Sequence, residues 1–535
     1  MTAATATTIG EVVADHAARR PEASAYVTAD RVLSWAEYDA RADGLAAALV
    51  DDGVAPGDRV AVLAPDGPAV HVAYLAIERA GGVIVGIGPR AGDREVEHLL
   101  GRTGASLLCS TPETAGLAAR LGLRHRVLDD RPGPTVGATV GPTAGASFVG
   151  RGRGVEDLWL LNSTSGTTGL PKCVMHDQAR WFAFHELAVA AGELTPDDVF
   201  MSVLPAPFGF GIWTGHVTPT VLGAPCVLMA RFDADECLAL IERERVSVLA
   251  AVSTQFVMLL NAMLAKATLR KEETLAERDL SSLRVLFTGG EMVPYRRAAE
   301  FEDRTGCAVL QFYGSNETGA LSRTTLTDDR EHRLRTAGRI IPSMHVRLFA
   351  DTADTADDDV TASGGPGIGA CKGPVNCLGY YDDPEANARL YTRDGWMLTG
   401  DLCTIDGDGY LTVAGRTSDF IIRGGKNISA AQVEEEVSTH PAVVLVAAVA
   451  MPDPVFGERV CVYVEQHHEM APVTLPALCE HLDARGVGKE LWPERVEVRD
   501  RLPRSSGEKV AKGELRDDVR RLLVSEGAEA EVGRP

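Results

Sequence analysis

The sequence predicts an α/β protein with a large, doubly wound N-terminal region followed by a small α+β region. Three observations predict it. Strand and helix patterns alternate over the first hundred residues and again from about 180 to 326, as in a sheet with helices on both faces. The character changes at Thr417, and the last ~120 residues have the size of one α+β domain. With 535 residues, 45% of them hydrophobic, the chain can fill more than one core.

The elements follow in order. In "LSWAEYDARADGLAAALVDDGV", Tyr38, Ala42, Leu45 and Leu49 share one helical face, Ser34 and Glu37 fit a capping box, and Gly53 fits the stop. "RVAVLAP" reads as a buried strand, followed by a helix near Val70 to Arg79 and the strand "GVIVGIG". Next come the helix "REVEHLLGRTG" and the strand "SLLCS". Residues 131–157 are rich in Gly, Pro, Ala and Thr and read as a linker. "LWLLN" reads as a strand, "CLALIERERVSVLAAVS" as a helix then a strand, and "LRVLFTGGE" as a buried strand ending in a Gly-Gly turn. The acidic, Gly-rich stretch 351–369 suits a loop between strands. After it, "SDFIIRGGKNIS" reads as a twisted hairpin and "AAQVEEEVSTHP" as a helix. "AVVLVAAVA" and "RVCVYVEQH" read as strands and "LPALCEHLDARG" as a helix.

A formal net charge of -22 argues against nucleic acid or an anionic membrane as the main partner. It leaves room for a phosphorylated ligand at a locally positive site. The ten cysteines are scattered singly, without a C-x-x-C pair or zinc spacing, as expected of reduced thiols in a cytoplasmic protein. The opening stretch lacks the basic start and apolar core of a signal peptide, and no apolar run reaches the ~18 residues of a membrane span.

"STSGTTGLPK", residues 163–172, packs five hydroxyls, two glycines, a proline and a lysine into ten positions. Such a loop suits a phosphate chain, since glycines let backbone N–H groups approach an anion while hydroxyls and a lysine add donors and charge. It is not the P-loop G-x-x-x-x-G-K-[ST]: Lys172 follows Pro171, and Gly166 and Gly169 are too close together. A polar turn between two elements is the plain alternative.

Four further stretches follow in order: "QFYGSNETG" (311–319), "GWMLTGDL" (395–402), "GRTSDFIIRGGKNIS" (415–429) and "LPRSSGEKVAKGELR" (502–516). Together with the loop they resemble the adenylate-forming superfamily, in particular its acyl- and aryl-CoA synthetases, over nearly the whole chain. The resemblance implies a large N-terminal domain (1–415) of stacked doubly wound sheets with a distorted barrel, and a mobile C-terminal lid (416–535). It implies attack of a carboxylate on the α-phosphate of Mg-ATP, giving acyl-AMP and pyrophosphate, and then displacement of AMP by the thiol of CoA. Both steps gather negative charge, so positioning and electrostatic stabilisation dominate.

The resemblance also implies roles. Thr164, Ser165, Gly166, Thr167, Thr168, Gly169 and Lys172 match the phosphate loop. Gly289, Gly290 and Glu291 match a turn beside the adenine, and Phe312, Tyr313 and Gly314 match its stacking wall. Glu317 matches the Mg²⁺ glutamate, Asp401 the aspartate that holds the ribose hydroxyls, and Arg416 a second nucleotide contact. Lys509 matches the lysine that bridges carboxylate and α-phosphate, with Lys512 a nearby decoy. Ser418 matches the hinge, and the loop carrying Arg423, Gly424, Gly425 and Lys426 matches the CoA path.

Three departures bear on adenylation. Cys173 replaces a glycine after Pro-Lys. Asn316 replaces a threonine before the Mg²⁺ glutamate and retains a donor for a phosphate oxygen. Glu508 replaces the glycine before Lys509. In "LPAPFGFGIWTGH", Phe208 falls where the family places an aromatic or histidine near the acyl carboxylate; Phe210, Trp213, Ala251, Ser253 and Thr288 are candidate pocket residues or ordinary core. No Asp stands where amino-acid-activating relatives pair an ammonium, which favours a neutral-tailed, hydrophobic carboxylic acid. The expected partners are that acid, ATP and CoA, with a homodimer a further expectation. Three alternatives stay open: an enzyme loading a separate carrier protein, a member that keeps one half-reaction, and a nucleotide-binding regulator.

Overall fold

The computed structural model describes residues 7–128, 153–164, 171–269, 278–291, 293–350, 359–416, 419–424, 426–467, 470–504 and 509–532. Two large sheets dominate the N-terminal region. The nine-stranded sheet runs Arg339–Ile340, Gly319–Arg323, Ala308–Ser315, Val285–Gly289, Val248–Ala250, Phe200–Ser202, Cys226–Leu228, Ser24–Val27 and Val32–Ser34, with a parallel centre. The six-stranded sheet runs Arg124–Val127, Leu107–Ser110, Arg59–Leu63, Val83–Gly86, Leu160–Ser163 and Cys173–His176, the last pair antiparallel. One apolar core joins them: Val60, Ile84 and Leu160 from the smaller sheet pack in the same cluster as Phe200, Phe287 and Leu310 from the larger.

The helix Trp35–Asp51 shows how sequence sets this packing. Ser34 Oγ accepts from the Glu37 N–H at 3.2 Å, and the Glu37 carboxylate accepts from the Ser34 N–H at 3.1 Å. That capping box satisfies two otherwise orphaned donors and contributes about 1 kcal/mol. The helix buries Tyr38, Ala42, Leu45 and Leu49, the stripe its periodicity predicts. Burying a leucine such as Leu45 contributes about 1.5–3 kcal/mol.

Where the distorted barrel is expected, His345–Phe349, Gly367–Lys372, Met397–Ile405 and Leu411–Arg416 form a four-stranded antiparallel sheet. Its second strand begins inside the stretch 351–369 expected to be a loop. Gly367–Lys372 pairs with strands on both sides, and that pairing outweighs the low strand preference of its glycines. Most of the expected linker 131–157 falls outside the described residues.

The C-terminal region carries its own sheet. The expected hairpin is present, with Phe420 opposite Ser429 and Arg423 opposite Lys426. Val443–Asp453 pairs antiparallel with Gly457–Gln466. Helices Ala430–Val437 and Leu475–Ala484 cover one face through Val433, Val437, Leu478 and Leu482, while Leu515 and Val519 of Lys512–Val532 cover the other. Among the described residues no helix is long and apolar enough to cross a membrane. All ten cysteines are free, and nine are buried.

Candidate active site

The C-terminal ends of parallel strands converge on the motifs, the usual place for a ligand on an open α/β sheet. Leu160–Ser163 delivers Thr164, Val285–Gly289 delivers Gly290 and Glu291, and Ala308–Ser315 delivers Asn316 and Glu317. A cleft of about 980 Å³ lies along these ends. Thr164, Gly289, Gly290, Glu291, Phe312, Tyr313, Gly314, Asp401 and Lys509 line it, so residues read from five separate motifs meet.

At the turn, Gly289 pairs with Phe312 in register, and a Cβ on Gly289 would stand 2.3 Å from the Phe312 carbonyl oxygen. Gly290 has φ +75°, and a Cβ there would meet Lys509 Nζ at 2.8 Å. Both positions therefore require glycine. Lys509 Nζ donates to the Gly290 carbonyl at 2.8 Å. Lys512 also lines the cleft but is ion-paired with Glu434 at 2.7 Å. Glu291 Oε2 accepts from the backbone N–H and hydroxyl of Thr254 at 3.4 and 3.3 Å, which ties the turn to the start of the helix Ser253–Leu269.

Opposite, Tyr313 O–H donates to Asp401 Oδ2 at 2.8 Å, and the backbone of Asp401 pairs in register with that of Arg416. Burial, then the Cys403 thiol and the Asp401 carboxylate, push the Tyr313 phenol far up, so it stays a donor. Phe312 is buried among Phe184, Trp213 and Phe287, with ring centroids 5.0–5.7 Å away.

Lys172, Asn316 and Glu317 do not line the cleft. Lys172 Nζ sits 4.6 Å from the Tyr380 ring centroid, and Tyr380 O–H donates to Glu317 Oε1 at 2.7 Å. Tyr380 thus links Lys172 to Glu317. Sequence reading missed it, although "GYYDDP" places an aromatic pair just after a glycine. Thr164 N–H donates to the Lys172 carbonyl at 3.0 Å, closing the neck of the loop. Ser165, Gly166, Thr167, Thr168 and Gly169 lie outside the described residues, as do Ser418, Gly425 and Glu508.

Of the six acid-pocket candidates, Ser253 lines the cleft. Trp213, Ala251 and Thr288 are buried, and Phe210, half-buried, packs edge-on against Trp213 at 5.7 Å. Trp213 Nε1 and Thr288 Oγ1 are buried without a hydrogen-bond partner. Phe208, half-buried, lies outside the cleft lining. The CoA-path candidates stand apart from the cleft as well: Arg423 bonds to Glu494 and to the Glu490 carbonyl, and Lys426 lies 3.7 Å from Glu490. Gly424 is exposed beside Phe456.

Residues 13–381 match the family model described as AMP-binding enzyme, and residues 432–509 match the AMP-binding enzyme C-terminal domain. The chain is 35% identical to a feruloyl-CoA synthase of an Amycolatopsis species, over 93% of this chain and 97% of that one. It is 32% identical to a salicyl-AMP ligase / salicyl-S-ArCP synthetase of Mycobacterium tuberculosis, over 97% and 92% respectively. Among solved structures, ATP-bound MatB from Rhodopseudomonas palustris superposes with a TM-score of 0.81 at 28% identity, covering 95% of this chain and 98% of that one.

Proposed function

The chain belongs to the AMP-binding enzyme family, and we propose that it is an AMP-forming acid–thiol ligase acting on a hydrophobic carboxylic acid. A carboxylate oxygen of the acid attacks the α-phosphorus of ATP, and pyrophosphate leaves with the cleaved bond's electron pair. The thiol of CoA then attacks the acyl carbon of the acyl-AMP, loses its proton, and expels AMP. The observation that carries this reading is the placement of Lys509 at Gly290, on the same cleft as Tyr313 and Asp401. A lysine there offsets the repulsion between the two reacting anions. Asp401 accepts hydrogen bonds from the ribose diol, with Tyr313 fixing its carboxylate.

Mg²⁺ fits the residues present. It takes oxygen ligands, one or two from protein carboxylates and the rest from phosphates and water. Glu317 spends Oε1 on Tyr380 and retains Oε2 for such a cation. When bound with ATP, the ion would neutralise phosphate charge. Lys172, held over Tyr380, is the second positive group on that side.

The likeness to the salicyl-S-ArCP synthetase favours a second reading, in which the acceptor thiol belongs to a carrier protein. A panel of carboxylic acids with ATP and Mg²⁺, scored for pyrophosphate release with and without CoA, decides between them. Release that consumes CoA and yields a thioester supports the first reading. Acyl-AMP accumulating with CoA present supports the second, and no release with any acid overturns both.

A further inference from the structure

The amide of Asn162 is saturated. It is buried on the strand Leu160–Ser163, one residue before the last position of that strand. Nδ2 donates to the Pro207 carbonyl at 2.9 Å and to Asn316 Oδ1 at 3.1 Å. Oδ1 accepts from Asn316 Nδ2 at 2.6 Å and from His176 Nε2 at 2.8 Å. Two donors and two lone pairs are all that an amide has. The three segments so joined are the strand leading to the phosphate loop, the segment carrying Phe208, and the turn carrying Glu317.

Donor polarity gives the network one direction. Arg180 is buried, and its Nη1 contacts His176 Nδ1. A guanidinium has donors only, so Nδ1 must accept. With Nδ1 a lone pair, Nε2 carries the hydrogen, and the Asn162 atom facing it must be oxygen. The flipped amide is excluded, so Nδ2 is aimed at Pro207 and Asn316. Burial and the Arg180 charge hold His176 neutral, in accord with this tautomer.

We infer that Asn162 is a positioning residue that holds the acid segment and the Glu317 turn in fixed register beside the phosphate loop, and that Arg180 sets its direction through His176. As a statement about catalysis this rests on the ligase reading above. Its geometric content does not.

Two variants probe it without changing volume much. Asn162→Asp turns both donors into acceptors facing the Pro207 and Asn316 oxygens. His176→Gln keeps an acceptor for Arg180 and a donor for Asn162 on one planar group, whereas His176→Leu removes both. With ATP, Mg²⁺ and the acid giving the highest wild-type pyrophosphate release, the expected result is a kcat loss on the order of 10²-fold in Asn162→Asp and His176→Leu. The KM for ATP should stay within about threefold, because mispositioning acts on the reacting geometry more than on nucleotide affinity. His176→Gln should recover most of the rate. A wild-type kcat in Asn162→Asp, or His176→Gln as slow as His176→Leu, overturns the inference.

Hydrogen exchange on the ligand-free protein tests the same point whatever the chemistry proves to be. Backbone amides of 206–212 and 314–318 should exchange faster together in Asn162→Asp than in wild type. Unchanged exchange in either segment overturns the inference even if the protein proves to be a ligase, while a wild type that releases no pyrophosphate overturns the ligase reading alone.

Discussion

Lys509 donates from Nζ to the carbonyl oxygen of Gly290 at 2.8 Å, across 219 positions of sequence. The contact places the C-terminal region's lysine at the end of a central strand of the largest sheet. Removing it should cost adenylation and spare the later step. Lys509→Ala is expected to slow pyrophosphate release by about 10²-fold or more, while thioester formation from supplied acyl-AMP persists. Lys512→Ala is the control. It should lower stability by about 1.5–3 kcal/mol, since Glu434 loses its cationic partner and, among the described residues, keeps only the Ala448 N–H, with a much smaller effect on pyrophosphate release.

Asp401 and Tyr313 give a graded pair. Asp401→Ala should raise the ATP KM by an amount equivalent to about 1.5–3 kcal/mol, the worth of charge-assisted hydrogen bonds. Tyr313→Phe removes the donor that orients the carboxylate and should cost about 1 kcal/mol. Equal ATP affinity in wild type and Asp401→Ala would take Asp401 out of the nucleotide site.

Tyr380→Phe separates the ring from its hydroxyl. The ring beneath Lys172 remains, and the hydrogen bond to Glu317 is lost. The Mg²⁺ concentration giving half-maximal pyrophosphate release should rise several-fold, with KM for the acid unchanged. A shift in the acid KM alone would contradict the link between Tyr380 and Glu317.

Stability should fall on the acid side. Burial pushes His185, beside the Thr218 hydroxyl, down to about 4 from its ordinary 6.5. His176 and His216 are likewise held well below by burial. The unfolded chain takes up these protons near pH 6.5 while the folded chain resists, so the contribution is complete above about 6.5. For His185 it is lost as pH falls towards about 4. Thermal melting between pH 7 and 4 should show a declining Tm, and His185→Gln should flatten the decline.

We propose, on the motif resemblance alone, that Ser418 is the hinge. Proline fixes φ and restricts its predecessor, so Ser418→Pro should hold one orientation of the C-terminal region. Pyrophosphate release should survive and thioester formation from synthetic acyl-AMP should fail. Wild-type rates for both would move the hinge elsewhere.

What could be read in advance follows from the range of each interaction. The capping box of Ser34 and Glu37 spans three residues, and the apolar stripe of Tyr38, Ala42, Leu45 and Leu49 is periodic, so both are visible in a short window. The motif residues at the cleft were legible because their order and types carry chemistry. The bond between Tyr380 and Glu317 spans 63 positions and the Asn162–Asn316 pair spans 154, and no local pattern marks either. Glu291 shows the same limit from the other side. Read as a residue beside the adenine, it accepts from Thr254 at a helix start that only folding brings near. The acid candidates differ in packing, which composition does not reveal: Ser253 lines the cleft, Trp213 is buried among Phe184, Phe287 and Phe312, and Phe210 is half-buried at its edge.

The buried thiols have a consequence for an enzyme that handles an activated acyl group. Acyl-AMP is an electrophile towards any thiolate within reach, including the protein's own. Burial pushes Cys173 and Cys377 up to about 11 and Cys109, Cys371, Cys403 and Cys461 up to about 12. It also raises the half-buried Cys479, and drives Cys226, Cys237 and Cys307 higher still. At neutral pH these sulfurs are protonated, and nine of the ten are buried. Among the cysteines, the nine buried thiols are therefore poor competitors for the acyl group against an acceptor that arrives from solution.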